Sequence, residues 1–173
     1  MREICDAGVA AALAAGAAYA DARVVVRRVQ SVAVKNGRVD EITDVETQGI
    51  GVRVLAGGAW GFACAPRLDE AAARDAALRA AEFARAAGGR NARELAPVAA
   101  QSGVHRSPVE VDPFSVSLED KVAHCLRAEQ ALSHRGVIVR EAAVRARREQ
   151  RWICTSDGTS VEHDEVECGG ELR

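Results

Sequence analysis

The sequence predicts an α+β fold, in which an antiparallel or mixed β-sheet meander carries helices packed on one face. Three observations support this prediction. Strong helix formers fill residues 2–18, β-branched residues alternate with polar ones on both sides of Asn36-Gly37, and residues 70–87 return to a helical period. A length of 173 residues fits one domain, or one domain plus a short piece of the next, and we interpret residues 1–173 as one α/β domain.

The first elements are a helix and a hairpin. A helix is predicted over residues 2–18, where Gly16 is placed to end it. Strands are then predicted at 22–29 and 31–35, because valine alternates there with polar residues. Asn36-Gly37 follows, and this dipeptide accepts the positive φ angles of a two-residue type I′ turn. It is the sharpest local signal in the chain.

The sheet is predicted to continue from residue 39 to residue 64. Ile50, Val52 and Val54 should point to one side of a strand, and Gly57-Gly58 should form a second tight turn. Together with the first hairpin, these segments predict four to five antiparallel strands.

The strand after the second turn carries Trp60, Phe62 and Cys64 at alternate positions. The two aromatic side chains could belong to the core or to a contact surface. We predict the core, because the chain has few aromatic residues with which to fill its interior. Cys64 and Cys125 are likewise interpreted as small apolar residues on buried faces rather than as nucleophiles.

A second helix is predicted over 70–87 and should lie on the sheet. Asp69 can cap its N-terminus, and Gly88-Gly89 supplies a stop at its C-terminus. Charged residues at spacings of four, three and three form one solvated face. They are Asp75, Arg79, Glu82 and Arg85.

Residues 90–113 contain three prolines and are interpreted as an irregular connection with at most a short strand near Val104-His105. Ser117 begins a capping box for a third helix, which Gly136 is expected to close.

The last third of the chain mixes strand and helix signals. Residues 137–139 suit a strand, whereas residues 140–147 have helical propensity, so propensity leaves 137–150 open. A turn at 156–159 predicts a hairpin at the end of the chain.

Composition and charge exclude several classes of function. A net charge of −2 and an isoelectric point near 6.1 do not suit a protein that binds nucleic-acid phosphates. No apolar run approaches the roughly 20 residues that cross a bilayer. The five cysteines are odd in number and form no CxxC pair, which favours reduced thiols. We therefore expect a cytoplasmic protein without nucleic-acid or membrane partners.

No residue is assigned as catalytic, cofactor-binding or metal-ligating from its type and spacing. A common class of zinc peptidase needs two histidines one helical turn apart, with a glutamate beside the first. Here the histidines lie at least ten residues apart, and none is followed by glutamate. They are His105, His124, His134 and His163.

Three weaker patterns are compatible with binding. Cys154, His163 and Cys168 could hold zinc across the terminal hairpin, but they lack a short chelate spacing, so ordinary hairpin residues are the favoured interpretation. Glycines 49 and 51 lack the third glycine and the helix of a phosphate loop, and they better suit a bulge or a close backbone approach.

The third pattern is a cluster of arginines in residues 140–151 that could attract an acidic partner. A solvated face balanced by Glu141 and Glu149 is the favoured interpretation. The cluster consists of Arg140, Arg145, Arg147, Arg148 and Arg151.

Four separated segments resemble the N-terminal half of the TldD/PmbA family, which is also called the modulator of DNA gyrase family. They read YADARV at 19–24, VKNGRV at 34–39, QGIGVRVL at 48–55 and WGFA at 60–63. The similarity extends through the helix at 70–87, and the segment TSDGTSVE at 155–162 resembles a later hairpin of the same family domain. Their order and spacing agree together, which makes the resemblance specific.

This resemblance implies an N-terminal α/β domain that precedes a mostly β catalytic domain with a zinc-binding HExxxH motif. It implies a zinc-dependent peptidase that acts on peptides as a homodimer or as a heterodimer of paralogues. No metal ligand of that motif can be placed on this chain, so we expect it to be truncated before the motif and inactive alone. The alternative is a non-catalytic partner subunit or a peptide- or protein-binding module. The family pattern also favours a strand over 137–150.

Overall fold

The structure, a computed structural model, describes residues 1–88 and 95–173. This part of the chain has an α+β fold with three α-helices and one mixed sheet of six strands. Gly89, predicted to help end a helix, and residues 90–94 of the predicted connection lie outside the described residues.

The elements follow one another in this order. The chain begins with α1 (Arg2–Ala14), β1 (Tyr19–Lys35), β2 (Arg38–Ala56), β3 (Ala59–Ala65) and α2 (Glu70–Ala87). It continues with β4 (Ser102–Arg106), a short 3-10 helix (Pro113–Ser115), α3 (Leu118–Ala131), β5 (Glu141–Thr155) and β6 (Ser160–Leu172). The strand order in the sheet is β3-β2-β1-β5-β6-β4.

The last strand pair makes the sheet mixed. β2 and β3 pair antiparallel. Beside β6, the Ser160 amide donates to the Gln101 carbonyl, and the Ser107 amide donates to the Asp164 carbonyl. Both segments therefore advance in the same direction, so β4 runs parallel to β6.

The chain divides into two compact units, of which the first comprises Met1–Val26, Gln48–His105 and Gln150–His163. Its core lies where α2 contacts both β3 and α1. The buried stripe of α2 consists entirely of alanine, at positions 72, 73, 76, 77, 80, 81 and 84. A Cβ added to Gly61 of β3 would lie 1.9 Å from the Ala80 carbonyl oxygen. Small side chains thus allow an unusually close approach of helix and strand.

The second unit comprises Arg27–Thr47, Arg106–Glu149 and Asp164–Arg173. Its smaller core contains Val32, Val34, Cys125 and Ala142, all nearly inaccessible to solvent. Half-buried residues of α3 pack against this core, namely Leu118, Val122, Leu126 and Ala128.

Several predictions made from local chemistry are confirmed. Asn36 and Gly37 have φ angles of 47° and 75°, as a type I′ turn requires. Asp69 caps α2 by accepting a hydrogen bond from the Ala72 amide at 2.7 Å. Ser117 caps α3, and a short strand forms around Val104 as expected.

Other boundaries differ from the predictions. α1 ends at Ala14 instead of residue 18, whereas Gly16, with a φ angle of 82°, ends the helix as predicted. The first meander has three strands, since β1 and β2 run unbroken through 17 and 19 residues. α3 ends at Ala131, so Gly136 does not close it. The ambiguous segment forms β5, but the three apolar residues 137–139 precede the strand and are exposed.

Candidate functional site

The three side chains weighed as zinc ligands are not brought together within either unit. Cys154 and His163 belong to the first unit and Cys168 to the second. Cys154 is buried, with its sulfur 3.7 Å from the Ser160 hydroxyl. In residues 1–88 and 95–173, no group of three or more histidine, cysteine, aspartate or glutamate side chains is placed to hold a metal ion.

Two of the four histidines lie side by side. The rings of His105 on β4 and His163 on β6 have centroids 5.7 Å apart. His124 is an exposed residue of α3, and His134 follows that helix, also exposed.

The buried thiols are not suited to nucleophilic chemistry. Burial raises the pKa of Cys5 to about 12, and burial also raises the pKa values of Cys125 and Cys154. A thiol reacts as its thiolate, so these groups are protonated at neutral pH. Cys64 is exposed, which contradicts its predicted burial, because the opposite side of β3 faces α2.

The arginine-rich strand β5 contacts carboxylates that solvent hardly reaches. Arg148 makes two hydrogen bonds with Asp164, at 2.9 and 2.6 Å, and these bonds raise the pKa of the Arg148 guanidinium. Arg147 contacts Glu149 at 3.3 Å, which confirms one predicted partner of the cluster. The other predicted partner, Glu141, pairs with Lys35 at 2.5 Å.

Aromatic side chains lie on the sheet face of the first unit that points away from α2. Phe62 is 58% exposed, so its predicted core position is wrong. Trp60 is half-buried and lies under the guanidinium of Arg53, which is 4.7 Å from the ring centroid. Tyr19 meets the same indole edge-on, at a centroid distance of 5.8 Å. These three aromatic residues form what we call the aromatic face.

The two glycines of residues 48–55 allow neighbouring groups to approach the strand closely, and they are not part of a phosphate site. A Cβ at Gly51 would lie 2.9 Å from the Phe62 ring, and a Cβ at Gly49 would lie 3.1 Å from the Ala65 carbonyl oxygen. The predicted close approach is confirmed, and at Gly51 the approaching group is an aromatic ring.

A groove in the second unit runs between α3 and the end of β6. Its main cavity has a volume of about 530 Å³, and a neighbouring cavity along the same helix adds about 230 Å³. One wall carries Lys121, His124 and Arg127 of α3, and the other is the backbone at Gly169-Gly170. Pro113, Val116 and Val144 supply apolar surface.

Lys121 is held in place at the base of this groove. It is only 6% exposed and donates a hydrogen bond to Gln30, which is itself buried. Its ammonium group also lies 6.0 Å from the centre of the Phe114 ring. This groove was not predicted from the sequence. Its one sequence signal is Gly169-Gly170, because paired glycines inside a strand often mark a close approach by another chain.

Two family sequence models match the chain. Residues 20–87 match the PmbA/TldA metallopeptidase domain 1, and residues 111–172 match the PmbA/TldA metallopeptidase central domain. Together they span well over half of the chain. The chain belongs to the TldD/PmbA family. The resemblance seen in the four sequence segments is thereby confirmed.

Solved structures share the fold of this TldD/PmbA chain. A candidate modulator of DNA gyrase from Bacteroides thetaiotaomicron superimposes with a TM-score of 0.80 at 13% identity, over 98% of this chain and 40% of its own length. TldE from Thermococcus kodakarensis superimposes with a TM-score of 0.71 at 14% identity, over 95% of this chain and 37% of its own length. A candidate modulator of a DNA gyrase from Thermotoga maritima superimposes with a TM-score of 0.68 at 21% identity, over 98% of this chain and 38% of its own length.

This TldD/PmbA chain therefore corresponds to about two fifths of the length of the solved chains that it matches. The comparison with curated protein sequences finds no match. None of the helices in the two described ranges combines the length and apolar character of a bilayer span.

Proposed function

We propose that this chain is the N-terminal region of a zinc-dependent metallopeptidase that acts on peptides. Its role in that protein is to shape the substrate chamber and to help assembly. The observation that carries the proposal is the match to two successive metallopeptidase domains of the family, domain 1 and the central domain, in the order in which the chain contains them.

The side chains in residues 1–88 and 95–173 are not arranged to hold zinc. The closest histidine pair, His105 and His163, belongs to no larger group of potential ligands in the described part of the chain. The sequence also lacks two histidines one helical turn apart. We therefore place the zinc in a further domain of the parent protein, and this chain alone should be inactive.

The aromatic face supports the assembly role. Aromatic residues are enriched at protein interfaces, and on this face Phe62 is 58% exposed. We propose that the parent protein is a homodimer or a heterodimer of paralogues in the cytoplasm, with peptides as substrates and without nucleic-acid or membrane partners.

The proposal can be tested by comparing the 173-residue chain with the product of the complete reading frame. We expect the complete product to contain an HExxxH motif, to bind about one zinc ion per chain and to hydrolyse peptides. The 173-residue chain should show neither stoichiometric zinc by elemental analysis nor hydrolysis. Zinc binding or hydrolysis by the shorter chain would contradict the proposal.

A second candidate function is a non-catalytic partner subunit or a peptide-binding module of the same family. β6 continues to Leu172 although its neighbour β4 ends at Arg106, and this favours the second candidate, because a strand edge can accept an added strand. A complete reading frame without the two histidines, whose product raises the activity of a catalytic paralogue on mixing, would identify this second function.

A further inference from the structure

β6 extends well beyond the strand that covers its outer edge. β4 ends at Arg106, and Ser107 makes the last contacts there, with the Asp164 carbonyl and, through its hydroxyl, with the Val166 amide at 2.7 Å. β6 continues to Leu172. In the described ranges, no strand follows β4 along this edge. Residues 167–170 are all exposed.

The alternation of the ladder shows which main-chain groups face this open edge. Arg173 exchanges two hydrogen bonds with Glu141 at the start of β5, so odd-numbered residues of β6 pair inward. The even-numbered residues 164 and 166 bond outward to Ser107. By the same alternation, the amide and carbonyl groups of Cys168 and Gly170 point outward into the groove.

The side chains near this edge are asymmetric in charge. Since residues 142 and 144 of β5 face α3, the even-numbered residues of β6 opposite them also face α3. Those residues are Cys168, Gly170 and Leu172, none of which is charged. Across the groove, His124 and Arg127 are exposed on α3, and the cations Lys121 and Arg127 outnumber the one carboxylate on this wall, Asp120, which accepts a hydrogen bond from the Ser117 hydroxyl.

We propose that the edge of β6 at residues 167–172 docks an extended peptide segment that adds a strand beside β6 and carries an acidic side chain facing α3. Main-chain hydrogen bonds with Cys168 and Gly170 hold the peptide backbone, and Arg127 with His124 receives the carboxylate. The apolar surface of Pro113 and Val116 receives a neighbouring aliphatic side chain.

The charges favour such a peptide over a second copy of this chain. A copy that paired through its own β6 would present Cys168, Gly170 and Leu172 toward α3, as the symmetry of an antiparallel pair requires. None of them can neutralise Arg127. An acidic peptide supplies a negative charge opposite Arg127, so we propose an acidic peptide as the occupant.

The test uses an acetylated, amidated heptapeptide of alternating threonine and valine with glutamate at its centre, labelled for fluorescence anisotropy. We expect saturable binding to the 173-residue chain with a dissociation constant below about 1 mM. Gly170→Pro removes the outward amide but leaves the ladder with β5 intact, and it should weaken binding at least about tenfold. The matched control is Gly170→Ala, whose Cβ would lie 3.6 Å from the Ala143 carbonyl oxygen, an ordinary contact.

A charge exchange provides a second test that does not depend on Gly170→Pro folding. Arg127→Glu should weaken binding of the glutamate peptide by about threefold and strengthen binding of the matching lysine peptide by a similar factor. Equal binding of all variants, or no saturation at 1 mM, would overturn the proposal. Self-association that Gly170→Pro abolishes, without peptide binding, would overturn it in favour of a second copy.

This docking proposal rests on the proposed function only if the docked peptide is also a substrate. Docking is measured on this chain by anisotropy, whereas the proposed function is measured by zinc content and hydrolysis of the complete product. The failure of one is therefore distinguishable from the failure of the other.

Discussion

Carboxylates that solvent hardly reaches determine where several cationic side chains of the second unit lie. Glu129, 2% exposed, accepts a hydrogen bond from Arg140 at 2.7 Å, and Arg140 also donates to the Ser133 hydroxyl. Burying a carboxylate without a partner would be costly, and the guanidinium offsets that cost. Arg140, just before β5, and Arg148 within β5 are therefore structural partners of buried acids, whereas a fully solvated arginine face had been predicted.

The pairing of Asp44 with Arg28 makes the stability of the fold depend on pH. The Arg28 guanidinium makes two hydrogen bonds to this carboxylate, at 2.8 and 2.7 Å, and lowers its pKa to about 2. The unfolded value is about 3.9. Because the folded pKa is the lower one, the ionised Asp44 stabilises the fold above the unfolded pKa. This contribution should disappear as the pH falls through about 4 toward 2.

Asp44→Asn should therefore be less stable than the wild type at pH 7, and this deficit should shrink between about pH 4 and pH 2. Urea unfolding of both proteins across this range measures it, with Asp40→Asn on the same strand as the control. A deficit that stays constant through the window would contradict the assigned pairing with Arg28.

At the scale of elements, the contact between α2 and β3 depends on a glycine. A Cβ at Gly61 would lie 1.9 Å from the Ala80 carbonyl oxygen and 2.5 Å from the Ala84 amide nitrogen, so main-chain atoms would have to move. We expect Gly61→Ala to lower the free energy of unfolding by about 1–3 kcal/mol or more, measured by urea unfolding. Gly169→Ala is the matched control, because nothing lies within 4 Å of the added Cβ. Equal stability of the two variants would refute this packing.

The same contact explains which predictions the sequence could and could not supply. The turn at Asn36-Gly37 and the cap at Asp69 depend on local chemistry, and both are confirmed. The buried side of β3 depends on how closely α2 approaches. Close approach selects Gly61 and Ala63 for the interior and leaves Phe62 outside, the reverse of what residue hydrophobicity alone predicts.

The docking groove escaped prediction for a related reason. It arises because β4 is shorter than its neighbour β6 and runs parallel to it, so the end of β6 stays uncovered. Neither strand pairing nor strand direction between segments so far apart can be derived from the periodicity of a single sequence. The glycine pair at 169–170 indicated a close approach by another chain, but not the side of the strand on which it occurs.

At the scale of the whole molecule, the chain covers about two fifths of the solved chains that share its fold. In the parent protein that we propose, some surfaces of this region would contact other domains or subunits. The aromatic face of the first unit fits this description, because Phe62 is 58% exposed although the chain has few aromatic residues.

Phe62→Ser distinguishes a contact residue from a core residue. Since more than half of the ring is already exposed, we expect the isolated chain to lose only about 1 kcal/mol in urea unfolding, less than the loss of a fully buried ring. In the complete protein, the same change should weaken subunit association at least about tenfold by sedimentation velocity, because aromatic anchors dominate protein interfaces.

Phe83→Ser, at 55% exposure on α2, is the matched control and should leave association unchanged. A loss above about 3 kcal/mol in the isolated chain would restore the core assignment. Unaltered association of both variants would mean that the aromatic face serves another purpose.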